Sequence, residues 1–433
     1  MKNSSLKIYF IILGLLLSSF ARAQKVVVLN LDDAIYPSTA EYIDNGLQKA
    51  AEENAACVVI KIDTPGGLLA PTRKMTGKIM NASIPVISFV TPSGAHAGSA
   101  GAFIALAANI TAMSPGSNIG ASHPVLEGSV PDSIMNAKMT EDAAAFMRSI
   151  AEHRGKDTTL ILQMVTNSRS FSAEQALKNN IIDLKANDLK ELLSKIDGRT
   201  VHLNSGKNVL LHTASAEVET IEMDGKQKFL AFLSNPNLMY VFLLLGLMGL
   251  FFEFSNPGGL VPGIVGVVSL ILAGYGMSVL PIDYTGLALI IVGIIFFVLE
   301  IKFQSYALLS ISGVICLFLG SIFLIDEAPS VDVLYISWSV LITSVVITSA
   351  FFIVLIFFGI KAQFGKSKTG VESLIGLRGM TMEELSPEGR VRVHGEFWNA
   401  IAEGGYIAAK TEVEVIEIKQ FKLTVKSVTL EPS

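Results

Sequence analysis

The stretch TPSGAHAGSAGAFIALAANITA, from Thr91 to Ala112, predicts the end of a β-strand, a Gly/Ala-rich turn and a helix that starts near Ser99. Gly98 and Gly101 flank that serine, and small neighbours let another backbone approach it closely, as a peptide substrate must approach a nucleophile. A hydroxyl at a helix N-terminus also lies beside backbone N–H groups and the positive end of the helix dipole, which suit an oxyanion. The alternative is a tightly packed core helix with Ser99 as its N-cap.

The segments around this turn alternate between strands and helices, a pattern typical of a layered α/β domain with right-handed crossovers. Ala56–Asp63 and Pro85–Thr91 are continuous apolar runs of the kind that forms buried parallel strands. Sites in such sheets gather at the carboxyl ends of the strands, where Gly66, Gly67 and Ser99 all fall. The other predicted strands and helices are Lys25–Leu31, Ser38–Glu53, Leu68–Met80, Ile110–Ser114, Thr140–Arg154, Thr158–Asn167 and Phe171–Ile182.

The composition predicts a membrane protein with an exported N-terminal domain. Hydrophobic residues make up 51% of the 433 residues and charged residues only 16%, so membrane segments are expected. Residues 1–23 combine early lysines, a short apolar run and Ala21-Arg22-Ala23, which is the pattern of a secretory signal peptide cut after Ala23. An uncleaved signal anchor is the alternative. In either case residues 24–225, the predicted α/β domain, are exported.

Residues 238–360 contain five apolar runs, each close to the length that spans a bilayer as a helix. With the α/β domain outside, five crossings place Lys302, Lys361, Lys366 and Lys368 inside, which agrees with the positive-inside rule. Four crossings plus a re-entrant segment near Asn256–Gly259 is the alternative. Glu253 and Glu300 lie at the ends of runs, where they are expected to reach into the interface.

Residues 372–433 alternate between polar and apolar positions and are punctuated by glycines, which predicts a small all-β barrel of about five strands. Acidic residues outnumber basic ones in this segment, and the whole chain has a net charge of −5. Both balances argue against a nucleic-acid partner.

The two glycine-bordered turns together suggest acyl transfer. The backbone of Gly66 and Gly67, with the N–H of Ala100, can form an oxyanion hole, because no side chain stands between these groups and a substrate. The serine then needs a base, and two residues are candidates. Lys138 begins a helix-like stretch and must lose its proton before it can act as the base. The ordinary pKa of a histidine already suits that role, so His123 needs little change in its pKa. The histidines and the two cysteines show no metal-ligand spacing, so we expect neither a metal nor a cofactor.

Four short motifs carry a resemblance to a known family. They are Asp63–Gly67 (DTPGG), Gly98–Gly101 (GSAG), Met113–Gly116 (MSPG) and Ile119–Ala121 (IGA). Lys138, the Ala151–Gly155 segment (AEHRG), the multi-span middle and the C-terminal barrel extend the match. The chain resembles the long form of the NfeD family of membrane-bound, ClpP-class serine proteases over essentially its whole length.

The resemblance implies a ClpP/crotonase-like α/β domain, a multi-span membrane domain and an OB-fold-like barrel. It implies Ser99 as nucleophile and Lys138 as general base, with Gly66, Gly67 and Ala100 around the oxyanion. It further implies a stomatin-like (SPFH) membrane protein as substrate or partner, cut in an apolar segment. The implied location is the bacterial inner membrane, with the protease domain periplasmic, the barrel cytoplasmic and a homo-oligomeric assembly.

Three alternatives stay open at this stage. In soluble ClpP the catalytic histidine follows the serine by about the interval that separates Ser99 from His123, so His123 can replace Lys138 as the base. A non-enzymatic scaffold that binds SPFH proteins would account for the barrel. Crotonase-type acyl-CoA chemistry also uses glycine-built oxyanion holes, but export argues against it.

Overall fold

A computed structural model of the chain describes residues 24–124, 133–255, 258, 260–303, 307–325, 335–364 and 371–428. The predicted signal peptide, residues 1–23, lies outside the described residues. The chain divides into two compact units, Met1–Phe352 and Ile353–Ser433, and each is described by itself.

The first unit begins with an α/β domain. Its strands are β1 (Lys25–Leu31), β2 (Cys57–Ile62), β3 (Val86–Val90), β4 (His96–Gly98), β5 (Ile110–Met113), β6 (Asn118–Gly120), β7 (Ser170–Ser172), β8 (Leu184–Lys185), β9 (Thr200–His202), β10 (Asn208–Leu210) and β11 (Glu217–Ile221).

The helices of this domain alternate with the strands. They are α1 (Pro37–Glu52), α2 (Leu69–Met80), α3 (Ala100–Ala107), α4 (Ser133–His153), α5 (Thr158–Thr166), α6 (Ala173–Lys178), α7 (Leu189–Ile196) and α8 (Gly225–Leu233).

Six strands form one parallel sheet in the order β11-β1-β2-β3-β5-β8. Both faces of the sheet are buried, which explains why its central strands are apolar without alternation. Val27 and Leu29 of β1 pack into the core beneath helices α1 to α5. Val26 and Val28 face the opposite core, which contains α7. The α/β class predicted from the sequence is confirmed.

A second, three-stranded sheet was not expected from the sequence. It joins β4, β6 and β7, with β4 parallel to β6 and β7 antiparallel to it. Each strand has three residues, which is too short for a periodic apolar pattern. This sheet positions the site, because β4 leads directly into Ser99 and Gly98 pairs with Gly120.

The edge strand β11 is not among the strands predicted from the sequence, which end before Asp183 in this domain. Its residues are mostly exposed and include Glu217 and Glu219, so they lack the apolar pattern of a buried strand. They nevertheless pair in parallel with β1, from Lys25 with Glu217 to Leu29 with Ile221. The backbone ladder with β1 therefore defines this strand, rather than its burial.

Five apolar helices follow. They are α9 (Pro236–Ser255), α10 (Val261–Val279), α11 (Tyr284–Phe303), α12 (Leu308–Phe323) and α13 (Trp338–Phe364). In the described part of the chain, three helical segments are long and apolar enough to cross a membrane: Pro236–Phe254, Val261–Val279 and Trp338–Phe357. The segments Tyr284–Glu300 and Leu308–Phe323 are apolar but shorter. The five helices match the five predicted runs, and the number that crosses stays a prediction.

Glycines let these helices approach closely in pairs. A Cβ on Gly293 would come within 2.9 Å of the Gly313 carbonyl oxygen, and a Cβ on Gly313 within 3.0 Å of the Gly293 oxygen. Gly246 and Gly266 make the same reciprocal contact between α9 and α10. Small residues at such crossings are the usual device of membrane helix pairs.

Glu300 does not reach into the interface as the sequence suggested. It is 2% exposed, and its carboxylate accepts the backbone N–H groups of Ala307, at 3.1 Å, and Ser310, at 3.2 Å. These N–H groups lie at the start of α12, where a helix has unpaired donors. Glu300 therefore caps the next helix of the membrane domain.

The second unit contains a closed barrel with the strand order β12-β13-β14-β16-β15. Its strands are β12 (Arg378–Thr381), β13 (Glu388–Val393), β14 (Glu396–Ala402), β15 (Glu412–Lys419) and β16 (Lys422–Ser427). Inward-facing residues such as Val391, Val393 and Val413 form its core. The predicted five-stranded barrel is confirmed.

Candidate active site

Ser99 occupies a strained turn between β4 and α3. Its φ of 48° and ψ of −115° lie in a region that residues other than glycine rarely adopt. The surroundings hold this backbone in place, since the Ser99 N–H donates to the Gly120 carbonyl at 3.0 Å. The Ser122 hydroxyl donates to the Ser99 carbonyl, also at 3.0 Å. A sharp strand-to-helix turn of this kind presents a serine hydroxyl outward, and Ser99 is partly exposed.

The turn at Gly66 and Gly67 lies against this serine. Gly66 has a φ of 117°, and a Cβ built on it would come within 2.6 Å of the Ser99 Cβ and 3.2 Å of the Ala100 nitrogen. Gly67 has a φ of 155°, and its Cβ would come within 2.4 Å of the Ile35 nitrogen. Only glycine fits at either position, so the two turns face each other through bare backbone.

The backbone donors of the two turns differ in whether they are already occupied. The Gly66 N–H donates to the Thr64 hydroxyl oxygen at 3.1 Å, and the Thr64 hydroxyl in turn donates to the Asp33 carbonyl at 2.7 Å. Within the described residues, no hydrogen-bond acceptor is found for the N–H groups of Gly67 and Ala100. Ala100 is also the first residue of α3, where the helix dipole favours negative charge. Of the three predicted oxyanion donors, the N–H groups of Gly67 and Ala100 therefore have no acceptor among the described residues. The Gly66 N–H has one, and the absence of a side chain on Gly66 lets the two turns approach closely.

Lys138 lies in the N-terminal half of α4 and is exposed to solvent. Among the residues that the structure describes, it makes no hydrogen bond to Ser99. Lys138, Asp142 and Phe146 follow one another at four-residue spacing, so they share one stripe of the helix. Arg73 of α2 forms an ion pair with Asp142 and lies over the Phe146 ring. This stripe therefore adjoins α2, the helix that starts directly after Gly66 and Gly67.

His123 lies in the segment after β6, next to the Ser122 that contacts Ser99. Its Nδ1 is 2.7 Å from the Val165 carbonyl oxygen on α5. Because a carbonyl oxygen only accepts, this contact assigns a proton to Nδ1. No carboxylate partner of the ring is found in the described part of the chain. The backbone around His123 is thus tied to the serine turn, while its ring is held against α5.

A second histidine, His96, also lies near the serine, although its spacing in the sequence indicates no role. The Asp63 Oδ1 accepts the His96 N–H at 3.1 Å and lies 3.5 Å from the His96 Nδ1. The ring also covers Gly98, whose Cβ would come within 2.9 Å of the His96 Cδ2. The signal available in the sequence was position, since Asp63 opens the DTPGG motif and His96 precedes Ser99 by three residues.

Buried ionic contacts hold the far end of α3. Arg154 donates from Nε to the Ala107 carbonyl at 2.8 Å, and burial lowers the pKa of Arg154 to about 10, with Asp183 opposing that effect. The Asp183 carboxylate accepts from the Lys156 ammonium and from the Thr111 N–H. The Arg154 contact anchors the helix that begins after Ser99, and the Asp183 contact holds β5, the strand that follows this helix. In the described ranges, no group of three or more His, Cys, Asp or Glu residues could hold a metal ion.

Three family models match the chain in succession. Residues 25–219 match the model described as NfeD1b, N-terminal domain. Residues 237–358 match the NfeD integral membrane domain. Residues 371–426 match the NfeD-like C-terminal, partner-binding domain.

Two curated proteins are similar over nearly the whole length. The membrane-bound protease PH1510 of Pyrococcus horikoshii is 34% identical, with 96% of each chain covered. The membrane protein NfeD1b of Bacillus subtilis is 27% identical, also with 96% of each covered.

A similar solved structure is an alanine variant of the membrane-bound stomatin-specific protease 1510-N in complex with a substrate peptide. It is 32% identical, covers 49% of this chain and 98% of its own, and superposes with a TM-score of 0.45.

Proposed function

The chain belongs to the NfeD family and is a membrane-bound protease, and we propose that it is a serine endopeptidase in which Ser99 is the nucleophile and Lys138 the general base. The observation that carries the proposal is the strained turn at Ser99, which packs against Gly66. Among the described residues, no acceptor is found for the N–H groups of the neighbouring Gly67 and Ala100. A nucleophile beside backbone donors for an oxyanion is the minimum that acyl transfer requires.

The proposed reaction has two halves. In the first, the Ser99 Oγ attacks the scissile carbonyl carbon, neutral Lys138 accepts the hydroxyl proton, and the N–H groups of Gly67 and Ala100 donate to the oxyanion. The C–N bond then breaks as Lys138 gives its proton to the leaving amine. In the second half, water attacks the acyl-enzyme with Lys138 again as base, which releases the acid product and restores Ser99.

Lys138 is preferred as the base because of the stripe that it shares with Asp142 and Phe146 beside α2. A base must be unprotonated, so the proposal requires that a bound apolar substrate covers Lys138 and excludes water from it. His123 is the alternative base and would act through Nε2. Its ring is held at α5, however, and no carboxylate among the described residues orients it.

The proposed substrate is an apolar segment of a stomatin-like (SPFH) membrane protein, as the family resemblance implies. Membrane attachment supports this choice, because the apolar helices that follow the α/β domain would keep the site close to the bilayer. The proposed cofactor requirement is none, since serine and lysine suffice for the chemistry.

The proposed location is the bacterial inner membrane. The α/β domain would lie on the periplasmic face after export by residues 1–23, and the barrel would lie in the cytoplasm. Variants with one introduced cysteine in a Cys316→Ser background, where only the buried Cys57 remains, test this arrangement through labelling of intact cells with a membrane-impermeant maleimide. Labelling of a cysteine at Arg148 but not at Tyr406 is the expected result, and the reverse would refute the orientation.

Partner binding by the barrel supports the second candidate function, a non-enzymatic scaffold for SPFH proteins, because the C-terminal model is described as partner-binding. A serine-reactive fluorophosphonate distinguishes the two candidates. We expect the reagent to modify wild-type protein at Ser99, located by mass spectrometry, and to leave Ser99→Ala unmodified. Equal labelling of both proteins, or none of the wild type in membranes with its SPFH partner, would favour the scaffold.

We also propose that the protein assembles as a homo-oligomer, as related folds do. Light scattering on the detergent-solubilised full chain measures this directly. A mass of one chain across the accessible concentration range would contradict it.

A further inference from the structure

Three aromatic and cationic side chains form one stack across three helices of the α/β domain. The Phe103 and Phe146 rings are stacked, with centroids 5.5 Å apart and an interplanar angle of 17°. The Arg73 guanidinium lies over the Phe146 ring, 4.5 Å from its centroid. Arg73 also pairs with Asp142, one turn before Phe146 on α4. The stack and the ion pair together are called the Arg73 clamp below.

Each helix that the Arg73 clamp joins starts at, or carries, one part of the proposed site. Arg73 belongs to α2, which follows the Gly66 and Gly67 turn. Phe103 belongs to α3, which begins directly after Ser99. The third helix, α4, carries Lys138 one turn before Asp142. The three helices that adjoin the two oxyanion turns or carry the base therefore contact one another in this cluster of side chains.

We propose that Arg73 is a positioning residue that sets where Lys138 lies relative to Ser99. This inference rests on the proposed function. The rotation of α4 about its own axis decides whether Lys138 faces the serine turn, and the packed residues Ala143, Ala144 and Met147 lie beyond the turn that holds it. Arg73 ties this stripe to α2 through its ion pair with Asp142, one turn from Lys138. A planar guanidinium can stack on a ring and pair with a carboxylate at once, which an ammonium cannot do equally well.

The clamp is partly exposed, so its removal should change geometry more than folding. The Arg73 side chain is 37% exposed and that of Asp142 is 65% exposed, and such surface pairs contribute little to stability. Catalysis is far more sensitive, because misplacement of a catalytic group by about 1 Å can cost about 100-fold in rate. We therefore expect Arg73→Ala to lower kcat by about 10-fold or more with little change in KM.

The test uses the full chain in detergent and two independent readouts. The first is kcat and KM on an apolar peptide for Arg73→Ala, Arg73→Lys and Asp142→Ala. Arg148→Ala, at an exposed position of the same helix, is the matched control. The second is geometric: Ser99→Cys and Lys138→Cys are combined in a Cys316→Ser background and joined by bismaleimides of increasing length, with and without Arg73→Ala. The remaining Cys57 is buried and does not compete.

The proposal predicts that Arg73→Ala lowers kcat and shifts cross-linking from the shortest effective linker to longer ones. Arg73→Lys should fall between the wild type and Arg73→Ala, and Arg148→Ala should match the wild type. Unchanged linker dependence in Arg73→Ala would overturn the proposal, as would an equal loss of kcat in Arg148→Ala. If Ser99→Ala and Lys138→Ala keep full cleavage, the proposed function fails instead, and the cross-linking still decides whether Arg73 positions α4.

Discussion

Gly66 packs directly against Ser99: a Cβ built on Gly66 would lie 2.6 Å from the Ser99 Cβ, closer than the non-bonded contacts that Cβ atoms make in proteins. This contact joins the Gly66-Gly67 turn to the turn that holds Ser99. The position of the serine therefore depends on the absence of a side chain at Gly66, in another loop.

Gly66→Ala should abolish most of the activity. The added methyl must displace Ser99 or its turn, and a φ of 117° is itself strained for alanine. We expect a loss of about 100-fold in kcat/KM, the usual cost of a misplaced nucleophile. Gly77→Ala is the matched control, because nothing lies within 4 Å of a Cβ there and the position is in the middle of α2. Peptide cleavage by both variants measures the difference, and equal activity would refute the contact.

Cys57 should report unfolding of the central sheet. It lies in β2, and burial raises the pKa of its thiol to about 12, so the reactive thiolate is scarce in the folded protein. In a Cys316→Ser background, which leaves Cys57 as the remaining cysteine of the two, a thiol reagent at pH 8 should react only as fast as the domain unfolds. Rapid labelling without denaturant would contradict the buried position.

The edge strand β11 should lose protection in acid. Hydrogen bonds from Lys25 and then Lys49 hold the pKa of Glu219 below its ordinary value of 4.5. A lowered folded-state pKa stabilises the fold fully above the ordinary value, and that contribution is lost as pH falls through the lowered pKa. Hydrogen-exchange protection of the β11 amides should therefore fall below about pH 4.5.

Glu219→Gln should show reduced protection of β11 already at pH 7 and a weaker response to acid. Glu217→Gln, on the same strand and exposed, is the control and should behave as the wild type. If the two variants have the same pH dependence, the lysine contacts do not secure this edge.

The glycine contacts between membrane helices should be intolerant of a single methyl group. Gly293→Ala should lower the free energy of unfolding of the detergent-solubilised chain by about 1–3 kcal/mol and so lower its melting temperature. The reason is that the added Cβ would meet the Gly313 carbonyl oxygen at 2.9 Å. Gly274→Ala, where nothing lies within 4 Å, should leave the stability unchanged or raise it slightly. A melt monitored by light scattering and intrinsic fluorescence compares the two.

The fold was largely predictable where a periodic apolar pattern exists. The strand predicted at Pro85–Thr91 is observed at Val86–Val90, and the helix predicted at Leu68–Met80 is observed at Leu69–Met80. The membrane helices were predicted in the same way from their apolar runs, and the barrel strands from their alternation of polar and apolar residues. Burial produces these patterns, so the sequence carries them.

The strands that the sequence did not predict are those that depend on backbone pairing rather than on burial. Strand β11 presents glutamates to solvent and is defined by its ladder with β1, and the three-residue strands β4 and β6 are too short for any pattern. In the site, the residue types were predictable but their geometry was not. That the Gly66 N–H is taken by Thr64, and that the His123 ring is turned to α5, depend on contacts between distant segments.

The most direct test of the central claim is cleavage of an apolar peptide by the full chain and by Ser99→Ala, Lys138→Ala and His123→Ala, each checked for folding. The account predicts that the first two variants lose about 1,000-fold or more in kcat, whereas His123→Ala stays close to the wild type. Loss of activity in His123→Ala with retention in Lys138→Ala would contradict the proposed dyad and assign the base to the histidine instead.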